Sequence, residues 1–172
     1  MEILVRRATP DDAASLAAVE VTSWRAAYRG LMPDAFLDRL SAEEKTASWR
    51  RNLLKHGPSG RKRLRVAVGD DGVIGFVRVG SMWDAGEVGL VYLLYVLPDY
   101  WGHGVGTALM SAALDDLRDL GMREAVLWVL RDNQRARRFY EGLGWRPDGR
   151  TTTEDYGGVA LEAWCYRREL GV

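Results

Sequence analysis

The sequence predicts one mixed α/β domain spanning residues 1–172, and three observations carry that reading. A chain of 172 residues is long enough to bury most of its apolar surface without metals or disulfides. Its apolar periodicity switches between helical and alternating along the chain. No linker, internal repeat or low-complexity tract divides it. The expected order is strand, helices, three strands, helix, strand, helix, two strands, about seven strands in all.

Residues about 2–8 alternate as a first strand. Thr9-Pro10-Asp11-Asp12 then reads as a helix start, with a capping threonine, a first-turn proline and acids at the positive end of the dipole. That helix runs to about Ala27, with Leu16, Val19 and Ser23 or Trp24 on one face. Gly30 and Pro33 punctuate it, and helices at about 33–40 and 42–56 follow. Leu64–Val68, Val73–Val79 and Val88–Leu97 are β-branched or aromatic runs separated by Asp70-Asp71-Gly72 and Asp84-Ala85-Gly86, which predicts an antiparallel meander. Val105, Leu109, Ala113 and Leu117 repeat at helical spacing up to Gly121. A strand at Ala125–Leu130, a helix at about 133–142 and strands at about 151–156 and 159–168 complete the chain.

Lysine plus arginine and aspartate plus glutamate number 24 each, so no net field favours nucleic acid or a membrane surface. Local basic patches remain at Arg61-Lys62-Arg63 with Arg65, and at Arg135, Arg137 and Arg138. The one cysteine, Cys165, is expected to face the core of a late strand rather than to act as a nucleophile. The amino-terminal residues are too charged for a signal peptide, and no stretch approaches a membrane span, so a cytoplasmic protein without a metal is expected.

The chemistry-bearing stretch is Leu93-Leu94-Tyr95-Val96-Leu97-Pro98-Asp99-Tyr100-Trp101-Gly102-His103-Gly104-Val105-Gly106-Thr107. A buried strand ends at a proline, and three glycines at alternate positions open a helix. Such a loop presents backbone N–H groups in a concave row at the positive end of a helix, and glycine lets an anion approach them closely. A phosphate is the natural guest. A dinucleotide fingerprint wants its third glycine one residue later, and a P-loop wants Gly-Lys-Ser/Thr, which is absent. Glycines serving chain geometry alone are the competing reading.

Trp101-x-x-Gly104-x-Gly106 resembles the Arg/Gln-x-x-Gly-x-Gly/Ala signature of the GNAT superfamily of N-acetyltransferases, with tryptophan at the first position as the departure. Downstream, Asn133-x-x-Ala136-x-x-Phe139-Tyr140-Glu141-x-x-Gly144-Trp145 is similar to that family's second signature. The resemblance implies a mostly antiparallel sheet flanked by helices and splayed between strands four and five. It implies acetyl-coenzyme A as acyl donor, with its pantetheine arm paired to backbone groups of Leu94 and Val96. An N–H near Leu94 or Tyr95 would polarise the thioester, a contribution of about 3 kcal/mol. Trp101, Gly102, His103, Gly104, Val105, Gly106 and Thr107 would form the pyrophosphate loop, with the Thr107 hydroxyl as a further donor. Asn133 and Ala136 would contact the pantetheine or a nearby phosphate.

Tyr140 resembles the tyrosine that protonates the departing thiolate, and a phenol stays protonated at neutral pH. The proton acceptor is less defined. The family often carries a glutamate about fourteen residues before the glycine pair, and that position here is Leu90. Glu87, Tyr92, Glu20, Asp84 and Asp155 are the candidates nearby in sequence or topology. Trp24, Tyr28 and Trp83, with Tyr92, are the expected walls of the acceptor pocket. Arg25 and Arg29 would either attract an acidic acceptor or form a solvated helix face.

The resemblance thus implies transfer of an acetyl group to a primary amine of a small molecule or peptide by direct attack on the thioester. A catalytically silent acyl-CoA-binding regulatory module is the alternative, and a nucleic-acid module rests only on the local arginines and aromatics. A homodimer through the late strands is a further expectation of the resemblance.

Overall fold

The computed structural model describes residues 2–56, 60–82 and 86–171. In chain order the elements are β1 (Leu4–Arg7), α1 (Ala13–Ala27), α2 (Asp34–Asp38), α3 (Ala42–His56), β2 (Lys62–Gly69), β3 (Gly72–Ser81), β4 (Val88–Val96), α4 (Val105–Asp119), β5 (Glu124–Leu130), α5 (Gln134–Gly142), β6 (Arg146–Tyr156) and β7 (Val159–Glu169). The strands form one sheet in the order β1-β2-β3-β4-β5-β7-β6. β4 and β5 are parallel, and every other neighbouring pair is antiparallel.

Both faces of the sheet centre are covered, so β3 reads as an almost continuous apolar run. Ile74 and Val77 join the core beneath α4, with Val105, Leu109, Ala113 and Leu117. Phe76 and Val66 face the other way, against Leu16, Ala17 and Trp49 of α1 and α3. Gly89 is required where β4 passes under α4, because a Cβ there would lie 2.7 Å from Leu117 Cδ2.

The helix start at Thr9 is a 3₁₀ turn, Pro10–Asp12, that leads into α1. Asp12 accepts from the Thr9 N–H at 2.8 Å and takes two hydrogen bonds from the Arg6 guanidinium. The first basic patch is an internal device. Arg7, Arg63 and Arg65 all reach Asp116, which is 1% exposed. Burial pushes the Asp116 carboxyl up, but the arginine hydrogen bonds outweigh it and its pKa lies below the ordinary value.

The sixth strand begins at Arg146, five residues before the predicted start, and accommodates Pro147 and Gly149 through a register shift between Pro147 and Thr151. β6 is a sheet edge, where proline removes no ladder bond. Cys165 is buried, as expected, and takes a hydrogen bond from Arg150 at 3.1 Å. Burial pushes its thiol up to about 11, which suits a packed residue and not a nucleophile. Among the described residues no helix is long and apolar enough to cross a membrane.

Candidate active site

β4 and β5 pair only from Val88–Glu124 to Val91–Leu127. Opposite this point Arg78 of β3 faces Leu93 and Val79 faces Val91, so Tyr92 is the extra residue of a β-bulge. A bulge bends its strand and sharpens the twist. It carries β4 away from β5 one residue after their last pair. A cavity of about 900 Å³ lies between the diverging ends.

Strand alternation decides which backbone groups face that cavity. The Leu97 N–H donates to Ile74 on β3 at 2.9 Å, so the groups of Leu94 and Val96 point the other way, toward β5. The Val96 carbonyl is already engaged. It accepts from the Trp101 indole N–H at 2.8 Å and from the Ser23 hydroxyl at 3.0 Å. The expectation that Val96 pairs fully with a ligand therefore narrows to its N–H. Leu94 keeps both an N–H and a carbonyl toward the gap.

The glycine loop closes one end of the cavity. Gly102 and Gly104 have φ of 79° and 81°, the left-handed region that glycine enters without penalty. Gly106 is a glycine for a different reason: a Cβ there would meet Phe139 Cζ of α5 at 3.1 Å. The row of donors is shorter than expected. The Trp101 N–H donates to Pro98 and the His103 N–H to Tyr100. His103 is exposed, with its ring beside the Trp101 carbonyl, and it does not line the cavity. The groups left open are those of Gly102 and of the first turn of α4, Gly104 to Thr107, because the first intrahelical bond of α4 is Ala108 to Gly104. The Val105 side chain anchors that turn in the core.

Trp101 stands where the resembling signature has arginine or glutamine, and a guanidinium reaches the same corner from α5. Arg135 lies over the Trp101 ring at 3.4 Å from its centroid. Among the described residues that line the cavity it is the one arginine or lysine, and partial desolvation lowers its pKa. Asn133 is buried and lines the same wall, with its side-chain oxygen accepting from the Ala136 N–H at the start of α5.

Tyr140 sits one helical turn beyond Ala136 and lines the cavity. Its ring meets Phe139 and Trp145 edge-on at 5.3 and 6.5 Å. Its hydroxyl has no hydrogen-bond partner among the described residues, and burial holds its pKa well above the ordinary phenol value. Tyr28, pushed up to about 12, and Tyr95 are raised by burial too. Trp24 contacts Tyr28, Tyr95 and Tyr156 at centroid distances of 5.0, 6.4 and 6.3 Å. Trp24 and Tyr28 both line the cavity. Tyr92 also lines the cavity, and its hydroxyl is tied to the Ser81 carbonyl at 3.1 Å. Trp83 and Asp84 lie outside the described residues.

The candidate carboxylates are not brought together here. Glu87 stands outside the cavity at the entry to β4, with its side chain 65% exposed and 3.6 Å from Arg123. Glu20 is buried but engaged by Lys45 and by the Trp49 indole N–H. Asp155 faces away from the cavity and accepts from the Gly158 N–H. Arg25 and Arg29 are engaged within the protein: Arg25 donates to the carbonyls of Leu37, Asp38 and Leu40, and Arg29 pairs with Asp34 and Asp38. Sequence reasoning missed the carboxylate that does line the cavity, Glu154 on β6. Its signal was the alternation of Thr152, Glu154 and Tyr156 on one face of a predicted strand.

The arrangement can hold a phosphorylated, extended ligand on backbone donors and present its end to a half-buried phenol. Comparisons with known proteins show the family and the fold. The chain is 35% identical over 140 residues to an uncharacterized N-acetyltransferase of Archaeoglobus fulgidus, covering 79% of this chain and 88% of the relative. It is 28% identical over 168 residues to a probable N-acetyltransferase of Mycobacterium tuberculosis, covering 96% and 92%. The crystal structure of the PaiA N-acetyltransferase from Thermoplasma acidophilum, in complex with coenzyme A, has the same fold. It superposes with a TM-score of 0.82 over 98% of this chain and 99% of that one, at 20% identity. The model of the acetyltransferase (GNAT) family matches residues 21–145, the stretch that holds the end of α1, the bulged strand, the glycine loop and Tyr140. The chain belongs to the GNAT family of acetyltransferases.

Proposed function

We propose that this protein transfers an acetyl group from acetyl-coenzyme A to a primary amine by direct attack on the thioester. The observation that carries the reading is the early end of the β4–β5 ladder at Val91, which leaves Leu94 facing a cavity that runs from the glycine loop to Tyr140. The residues suit the donor. Open amides of Gly102 and Gly104 to Thr107 match a pyrophosphate, and Arg135 adds a positive charge beside them. The N–H and carbonyl of Leu94 offer an extended arm the pairing that a neighbouring strand would supply. The bound donor supplies an acetyl thioester.

The Leu94 N–H receives the charge that develops on the carbonyl oxygen as the amine nitrogen forms its bond to carbon. As the carbon–sulfur bond breaks, Tyr140 gives its phenolic proton to the sulfur, the ammonium nitrogen loses its proton to water, and the phenolate regains a proton from water before the next turnover. Burial keeps Tyr140 protonated across the neutral range, which fits a donor of protons. The amide and the free thiol of coenzyme A are the products.

The test is release of free thiol from acetyl-coenzyme A with a panel of primary amines, alongside calorimetric titration of the donor. Binding with amine-dependent thiol release is expected. Tight binding with no release on any amine would overturn the reading in favour of a silent acyl-CoA-binding module.

A further inference from the structure

Glu154 is the one carboxylate among the described residues that line the cavity. It projects from β6 on the same face as Thr152 and Tyr156, both of which also line the cavity. The Tyr156 hydroxyl donates to Glu154 Oε2 at 3.0 Å, which orients the carboxylate. Tyr156 in turn meets Trp24 of α1 at 6.3 Å and Phe36 of α2 at 5.9 Å, both edge-on. No arginine or lysine among the described residues forms an ion pair with Glu154, whereas Asp148 and Glu162 on the same two strands each have one. Glu154 is exposed at the cavity wall, and a carboxylate with one oxygen held by Tyr156 and a second to offer is a receptor for an ammonium group.

The topology says which ammonium. Thr152 pairs with Ala163 on β7, and Ala163 pairs with Leu130 on β5. Glu154 therefore lies two strand spacings from the end of β5, about 10 Å, and one side-chain step further along. Leu94 is on the opposite wall, across the gap. Glu154 is too distant to touch the carbon under attack, but it is within reach of a cation several bonds removed from the reacting nitrogen.

We infer that Glu154, oriented by Tyr156, is the acceptor-side subsite for a second ammonium, so that the substrates are linear aliphatic amines carrying a distal cation. The inference rests on the acetyl-transfer reading above and deepens it. Glu154 is a specificity residue here, not a catalytic one. The distal charge also lowers the proton affinity of the reacting amine, because a like charge nearby disfavours protonation. The cavity is then bipolar, with Arg135 at the donor end and Glu154 at the acceptor end. An acceptor with a distal carboxylate is repelled.

Three probes share one reacting end: 1,5-diaminopentane, pentylamine and 5-aminopentanoate. The expected order of kcat/KM with acetyl-coenzyme A is diamine, then monoamine, then amino acid. In Glu154→Gln the diamine-over-monoamine preference falls about tenfold or more, chiefly through KM, while calorimetric affinity for acetyl-coenzyme A reports that the variant is folded. Equal turnover of the diamine and the amino acid, or a preference that survives in Glu154→Gln, would overturn the inference and leave acetyl transfer standing. Diamine binding to the coenzyme A-loaded protein that is lost in Glu154→Gln, with no turnover of any amine, would uphold the subsite and overturn the transfer reading. Neither binding nor turnover would overturn both.

Discussion

Tyr140, half-buried, and Cys165, buried, both carry exchangeable protons, and desolvation raises the pKa of each. For the thiol this removes the nucleophilic form, and the hydrogen bond from Arg150 occupies the sulfur. For the phenol it preserves the form that chemistry needs, and the hydroxyl opens on the cavity without a protein partner. Replacing Tyr140 by Phe is expected to lower kcat about 100-fold, with little change in the affinity for acetyl-coenzyme A measured by calorimetry. The sign of the pH effect follows from the raised pKa. Tyr140 stays protonated beyond the ordinary phenol value near 10, so loss of the proton donor should not limit turnover below that pH. Full turnover in Tyr140→Phe would remove the residue from the mechanism. The tyrosine was legible because it stands in a spaced pattern with Asn133 and Ala136. Glu154 was not, because the alternation it shares with Thr152 and Tyr156 marks a strand face and no function, and only the fold brings β6 to the cavity.

The elements that build the site touch at points too small to tolerate a side chain. The first turn of α4 meets α5 through Gly106 and Phe139. Gly106→Val would force α5 outward, and α5 carries Asn133, Arg135 and Tyr140 on its first two turns. Overpacking of this kind costs about 1–3 kcal/mol, so acetyl-coenzyme A affinity should fall about tenfold or more in a calorimetric titration. Unchanged affinity would mean that α5 is not needed to shape the donor site. The three glycines looked equivalent in the sequence. The structure separates two that need left-handed backbone, Gly102 and Gly104, from one that needs space. Spacing reveals that a loop is rich in glycine, whereas the contact with Phe139 depends on a partner thirty-three residues away. The start of β6 was hidden for a related reason. Pro147 and Gly149 are turn residues in isolation, and the strand continues past them because Arg146, Pro147 and the residues from Thr151 pair with β7 on either side of the irregularity.

For the molecule as a whole, the balanced charge conceals a paired interior. The arginines near residue 63 that resembled a nucleic-acid patch converge on Asp116, and Arg150 and Arg167 converge on Asp148. Arg150 holds the Asp148 carboxyl down at about 2. A carboxyl with a depressed folded-state pKa stabilises the fold fully above its unfolded value near 3.9 and loses that contribution as pH falls through the folded value. Stability measured by chemical denaturation should therefore drop between about pH 4 and pH 2, with Asp116 adding to the same limb. Asp148→Asn should flatten that part of the profile, and an unchanged slope would show that the pairing contributes nothing. The order of strands and helices along the chain was readable from periodicity because local patterns dictate it. The polar pairing was not, since charges distant in sequence carry no shared period.

One consequence of the early parting of β4 and β5 concerns what the protein must avoid. Sheets ordinarily keep their exposed edges at the perimeter, where charge, proline or a bulge deters a stray strand from adding on. This sheet has an edge in its middle, at Leu94, walled by Tyr28, Tyr140 and Trp24 and entered past the glycine loop. In the transfer reading proposed above, that gap takes a thin, unbranched amide-bearing chain in place of a polypeptide strand. The same backbone vacancy that would make an outer edge an aggregation hazard becomes, once it is enclosed, a selective one.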